Sequence, residues 1–200
     1  MRKITRRFLA SVACGACVAL AAAALLPSQS HAQTAVTVAM EKSYVRFVSK
    51  QMNVPVEGKF RKFTAHILFD AKKPDATQAE FEVDLGSIDM GSPEAEGEVK
   101  RNVWLNTDAF PKARFVSATV KPLGADRFEI TGPLSIKGVT QAITATAIVK
   151  TDAAGVTAAE GKFPLKRLQF KIGEGQWADT DTVADEVEVR FKFVFSTSRK

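Results

Sequence analysis

Two stretches of carboxylates are the first candidates for chemistry. Glu94, Glu96 and Glu98 alternate along one segment, and Asp179, Asp181, Asp185 and Glu186 crowd another that follows Gly173 and Gly175. Paired carboxylates act as acid and base when a second group is held within reach of the same proton. Clustered ones bind calcium, which takes about six to eight oxygen ligands. Neither pattern is complete here. Glu94 and Glu98 would share one face of a helix, but no cationic residue is spaced to make them a catalytic pair. The acidic stretch has no EF-hand spacing, so a solvated loop is expected rather than a metal site. A hydrolase centred on Asp181 would lack a second acid group placed by any motif.

Other reactive side chains are scarce. Cys14, Cys17 and His31 all precede residue 33, which leaves His66 as the one later histidine and no later thiol. A disulfide, a Cys-x-x-Cys redox pair and a cysteine nucleophile are thereby excluded from residues 33–200. His66 has no partner of a kind that would make it a base, so a surface histidine is expected. The chain is read as having no catalytic residue, and as a binding protein rather than an enzyme.

The N-terminus changes the other counts. Arg2, Lys3, Arg6 and Arg7 precede an uncharged apolar run from Phe8 to Leu26, and Pro27 breaks it. Ser30-His31-Ala32 then supplies small residues at the positions a signal peptidase reads. Residues 1–32 are therefore read as a cleaved secretory signal peptide and residues 33–200 as one exported domain, placed in the periplasm. The apolar run, 19 residues, is long enough for an uncleaved anchor, but its alanines and its end favour cleavage. The first 32 residues carry four basic and no acidic residues, so the formal net charge of +6 falls to +2 without them. No clustered basic stripe is left to bind nucleic acid.

Strands must position whatever site exists. Phe81, Val83 and Leu85 alternate with Glu80, Glu82 and Asp84, the period of a half-buried strand. Val187, Val189, Phe191, Phe193 and Phe195 repeat that pattern near the C-terminus. From 113 onward, Gly and Pro punctuate strand-like runs over 113–121, 127–136, 140–151 and 156–164, the rhythm of an all-β sandwich or barrel. One short helix is expected after Ser92, with Pro93 at its first position and an apolar stripe of Ala95, Val99 and Val103. The fold class is thus all-β: a lipocalin-like antiparallel barrel of about eight strands with one short helical excursion. A barrel of that size has an interior filled by side chains or occupied by one small ligand.

Thirteen phenylalanines fall after residue 32, many on one alternating face. Plain core is the simplest use for them, since burying each one stabilises by roughly 1.5–3 kcal/mol. Lining a cavity for an apolar chain is the alternative. Trp104 and Trp177 stand in connecting regions and fit either loop packing or a lid at a barrel mouth.

Ordered motifs decide more than composition does. Val56-Glu57-Gly58-Lys59-Phe60, then Phe63 and Ile67-Leu68-Phe69-Asp70, resembles the opening of the YceI-like family of bacterial periplasmic polyisoprenoid-binding proteins. Ser87-Ile88-Asp89-Met90-Gly91, the Trp104-Leu105 and Phe110-Pro111 pairs, and Thr131-Gly132-Pro133-Leu134-Ser135-Ile136-Lys137-Gly138 are similar to its later segments. So are Phe170-Lys171-Ile172-Gly173 and Val183-Ala184-Asp185-Glu186-Val187, with Lys171 standing where a glycine is common. The resemblance implies a long isoprenoid lipid, polyisoprenoid or isoprenoid quinone, as ligand in the barrel interior, and no cofactor. Alternation and family position together give the expected apolar pocket: Phe47, Phe60, Phe63, Ile67, Phe69, Phe81, Val83, Val99, Trp104, Phe110, Phe115, Leu134, Trp177, Phe191 and Phe193. A membrane-protein partner and the choice of monomer or homodimer stay open. The competing reading is a non-catalytic envelope interaction or stress protein with a filled core.

Overall fold

The structure, a computed structural model, describes residues 34–69 and 73–197. The segment read as a signal peptide lies outside the described residues. Twelve strands form one antiparallel sheet. In chain order they are β1 (Thr34–Val38), β2 (Tyr44–Gln51), β3 (Val54–Phe60), β4 (Phe63–Phe69), β5 (Gln78–Asp84), β6 (Ile88–Asp89), β7 (Lys112–Val116), β8 (Thr119–Gly124), β9 (Arg127–Ile136), β10 (Val139–Thr151), β11 (Val156–Lys166) and β12 (Glu186–Thr197).

β1 closes the sheet on itself. Thr34 and Ala35 pair with Phe69 and Leu68 of β4, while Val36, Thr37 and Val38 pair with Thr197, Ser196 and Phe195 of β12. The ring runs β1–β4–β5–β7–β9–β10–β11–β12 and back to β1, eight strands around. Within the ring closure leaves no free edge, while β6 and β8 outside it each have a single partner strand. After β1 a short 3₁₀ turn at Met40–Lys42 steps the chain sideways, and β2 continues along the same edge of β12, with β3 and β6 beyond it.

Local chemistry explains the joints. Three hairpin tips carry two consecutive positive φ angles: Met52-Asn53, Ala125-Asp126 and Lys137-Gly138. Such turns match the right-handed twist of the strands they join. The helix is shorter than the apolar stripe implied. α1 (Pro93–Val99) begins where the Ala95 N–H donates to Ser92 Oγ at 3.3 Å, with Pro93 in its first turn, and it ends before Val103. The strand expected over 113–121 is broken by a bulge between β7 and β8. A Cβ at Gly132 would collide with the Val116 carbonyl, so β9 lets the neighbouring backbone cross at that point, and the Ala118 N–H donates to the Thr131 carbonyl instead.

Charges sit on the outer face. Glu82 and Glu80 of β5 pair with Lys112 (2.6 Å) and Arg114 (2.7 Å) of β7, and Glu188 of β12 pairs with Lys162 (2.8 Å) of β11. The Arg114 hydrogen bond holds the Glu80 carboxyl below the usual carboxylate range, and the Lys162 ammonium does the same to Glu188. A depressed folded-state pKa means stability that is present above the unfolded value, about 4.3 for glutamate, and lost as pH falls through the folded one. Thermal denaturation followed from neutral pH downward should therefore show a flat midpoint that drops once the pH passes below about 4. A midpoint that rose in that range would contradict the pairing.

Candidate functional site

The inward side chains of the barrel do not meet at its centre. They enclose a cavity of about 510 Å³ whose wall is built from the inner faces of the strands, α1 and the loop after β11. That volume lies within the ~300–1,000 Å³ range of small-molecule sites. An aromatic column crosses it. Phe81 of β5 stacks on Phe193 of β12 at 4.2 Å between ring centroids, and on Phe115 of β7 at 6.2 Å. Phe191 stacks on Phe193 at 5.7 Å.

Two glycines set the position of two further rings. Gly58 stands opposite Phe47 in the β2–β3 register, and Gly161 stands opposite Phe191 in the β11–β12 register. A Cβ on either glycine would overlap the facing ring. The missing side chain therefore lets each phenylalanine lie across the neighbouring strand.

The wall changes character along β2. Its inward positions read Val45, Phe47, Ser49, Gln51, from apolar to polar. Gln51 is the one exposed residue on the wall, so the cavity meets solvent there. The loop after β11 frames this mouth. Gln51 bridges to Val183, the Met52 N–H donates to the Thr182 carbonyl at 2.8 Å, and the Ala184 N–H donates to the Lys50 carbonyl at 2.9 Å.

Arg167 holds that loop. It is 2% exposed, and its guanidinium donates only to backbone carbonyls: Ala184 (3.1 Å), Ile172 (2.9 Å), Gly173 (2.8 Å), Trp177 (2.6 Å) and Val183 (2.7 Å). Burial lowers its pKa from the ordinary arginine value, and the Asp185 charge offsets part of this. The guanidinium also lies 5.8 Å from the Trp104 ring centroid, and Trp104 packs on Trp177 at 5.4 Å. Trp104 Nε1 and Thr77 Oγ1 are buried without a protein partner among the described residues, and both residues belong to the wall.

Of the expected pocket residues, the structure brings twelve to the wall: Phe47, Phe60, Ile67, Phe81, Val83, Val99, Trp104, Phe115, Leu134, Trp177, Phe191 and Phe193. Phe63 and Phe110 do not line this cavity. Phe63 packs edge-on against the Phe193 ring at 5.9 Å, and Phe110 lies against the Gly138 turn. Phe69 ends β4, and its side chain lies outside the described residues. Arg167, Ser49 and Gln51 were not expected on the wall. Extending the Val45, Phe47 alternation by two steps would have found Ser49 and Gln51; nothing local marks Arg167.

Five of the seven candidate carboxylates are engaged locally. Glu94 accepts from Ser92 Oγ, Glu96 from the Met90 N–H, and Glu98 from Arg101. Asp179 accepts from the Asp181 N–H and from Thr182 Oγ1, and Asp185 from the Leu168 N–H. His66 lies on the outer face opposite Glu80. Among the described residues, no group of three or more metal-ligating side chains is assembled.

Comparison with known proteins now has a geometry to meet. The model of the YceI-like domain matches residues 36–195, nearly the whole barrel. The chain belongs to the YceI-like family. Among its YceI-like relatives, a UPF0312 protein of Azotobacter vinelandii is 37% identical over 45% of this chain and 47% of its own length. Protein YceI of Shigella flexneri is 34% identical over 59% of this chain and 65% of its own. The chain thus spans about half to two thirds of the length of these relatives. The crystal structure of BcnA from Burkholderia cenocepacia superposes with a TM-score of 0.76 at 38% identity, covering 79% of this chain and 99% of that one. A polyisoprenoid-binding domain from Saccharophagus degradans, implicated in plant cell wall breakdown, shares the fold with a TM-score of 0.65 at 15% identity, covering 83% and 99%. Lys171, where the resemblance leads us to expect a glycine, adopts φ 57°, the left-handed conformation that glycine takes without steric cost.

Proposed function

We propose that this protein is a periplasmic carrier that holds one long isoprenoid chain, a polyisoprenoid or an isoprenoid quinone, inside its barrel and performs no catalytic step. The observation that carries the reading is the cavity of about 510 Å³ with its wall of phenylalanine and branched aliphatic side chains. Each Å² of apolar chain withdrawn from water there contributes about 25 cal/mol. Ring faces such as Phe81 and Phe193 suit the methyl-branched, unsaturated surface of an isoprenoid. The polyisoprenoid-binding activity named for the Saccharophagus degradans domain, and membership of the YceI-like family, support the same ligand class. The engagement of Glu94, Glu96, Glu98, Asp179 and Asp185 in local hydrogen bonds leaves Asp181 without a second acid group placed beside it and favours a binder over a hydrolase.

A filled-core interaction protein is disfavoured by the same cavity, because an unfilled space of this size would cost the fold its packing. The test is native mass spectrometry of the protein recovered from the periplasm without detergent. A stoichiometric isoprenoid is the expected result. Protein that arrives empty, and that fails to take up added isoprenoid quinones, would overturn the proposal.

A further inference from the structure

We infer that the mouth of the cavity is a subsite for an uncharged, hydrogen-bonding headgroup contacted by Gln51 and Ser49, and that it rejects a phosphate or diphosphate on the same chain. The inference rests on the lipid-binding reading above and deepens it by naming the class of head.

The first observation is direction. Gln51 is the one exposed residue on the wall, and the inward positions of β2 turn polar only as they approach it. An amphipathic ligand that enters tail first leaves its polar end beside Ser49 and Gln51. A hydroxyl and a carboxamide donate and accept hydrogen bonds without net charge, which suits a hydroxyl or carbonyl head.

The second observation is charge. The wall holds one cation, Arg167, and one anion, Glu98. Every N–H of Arg167 is directed at backbone carbonyls of the framing loop, so it has no donor left for a phosphate oxygen. Lys50 lies between Ser49 and Gln51 in sequence but faces outward, exposed. Lys137 contacts the framing loop through the Lys171 carbonyl and the Glu174 carboxylate, and Arg101 is held by Glu98. The framing loop is one-signed between Ile172 and Asp185, where it contains four acidic and no basic residues. A phosphate at the mouth would be desolvated beside these carboxylates, and the one cation of the wall has no donor free to receive it.

The experiment compares four probes on the full protein by direct titration: a polyprenol, its monophosphate, its diphosphate, and the headless hydrocarbon of the same chain length. The polyprenol should bind about tenfold or more tighter than either phosphate, and the gap should narrow with added salt as the loop carboxylates are screened. Gln51→Ala with Ser49→Ala should bring the polyprenol toward the hydrocarbon while leaving the hydrocarbon unchanged. Gln51→Lys should raise the phosphates selectively. Phosphates that bind as tightly as the polyprenol, or a double variant that weakens hydrocarbon and polyprenol alike, would overturn the inference while leaving lipid binding intact. Failure of all four probes, hydrocarbon included, would overturn both readings.

Discussion

Arg167→Leu should lower the stability of the folded barrel by roughly 3 kcal/mol or more, because hydrogen bonds to a charged group contribute more than neutral ones and their loss strands buried acceptors. Five backbone carbonyls converge on this one side chain, from Ile172, Gly173, Trp177, Val183 and Ala184. Leucine fills part of the volume but gives none of them a donor. Arg167→Lys should recover little, since an ammonium has three donors on a mobile stem where the guanidinium has five in a fixed fork. For a domain of this size the midpoint should fall by about 10 °C. Urea denaturation with an unchanged slope is the measurement. A leucine variant of wild-type stability would mean that the loop holds itself and that the arginine is incidental.

Phe81→Asp should abolish binding of an isoprenoid chain, by about a hundredfold or more, while the protein stays folded. Phe81 is only half-buried because one face borders the cavity, so a carboxylate there can be hydrated in the empty protein. An occupying chain would strip that water away and leave a bare charge against hydrocarbon. The fold loses the ring contacts with Phe193 and Phe115, and Phe81→Leu controls for that loss because it removes the rings without adding charge. Circular dichroism reports folding and a titration with isoprenoid quinone reports binding. An aspartate variant that is folded and binds like the leucine variant would place the chain elsewhere.

Much of the barrel was legible because strand alternation writes burial directly into sequence. Val187, Val189, Phe191, Phe193 and Phe195 read as one inward face and all five lie on the wall. The Lys137-Gly138 turn was equally plain, since its geometry demands residues that accept positive φ. The bulge after β7 was not legible. Its cause is the approach of the Val116 carbonyl to Gly132, a contact between strands, and neither residue announces it alone. Arg167 was hidden for a related reason. Its partners are backbone carbonyls, which every residue type supplies, so no complementary side chain marks the pairing. The pocket was read through its aromatics and so missed the small and branched wall residues of β10, such as Ile143 and Ala145, which look like ordinary strand sequence.

The closing seam has a consequence for the order of events during synthesis. β1 is made first among the described strands, yet its partner β12 is the last. The loop closed by that pairing encloses almost the whole barrel, and long-range pairings of this kind form slowly. While the ribosome still holds the C-terminal segment, β1 has no β12 to join, and the ring stays open with its apolar lining accessible. The ring is thus kept from closing until β12 is free to pair.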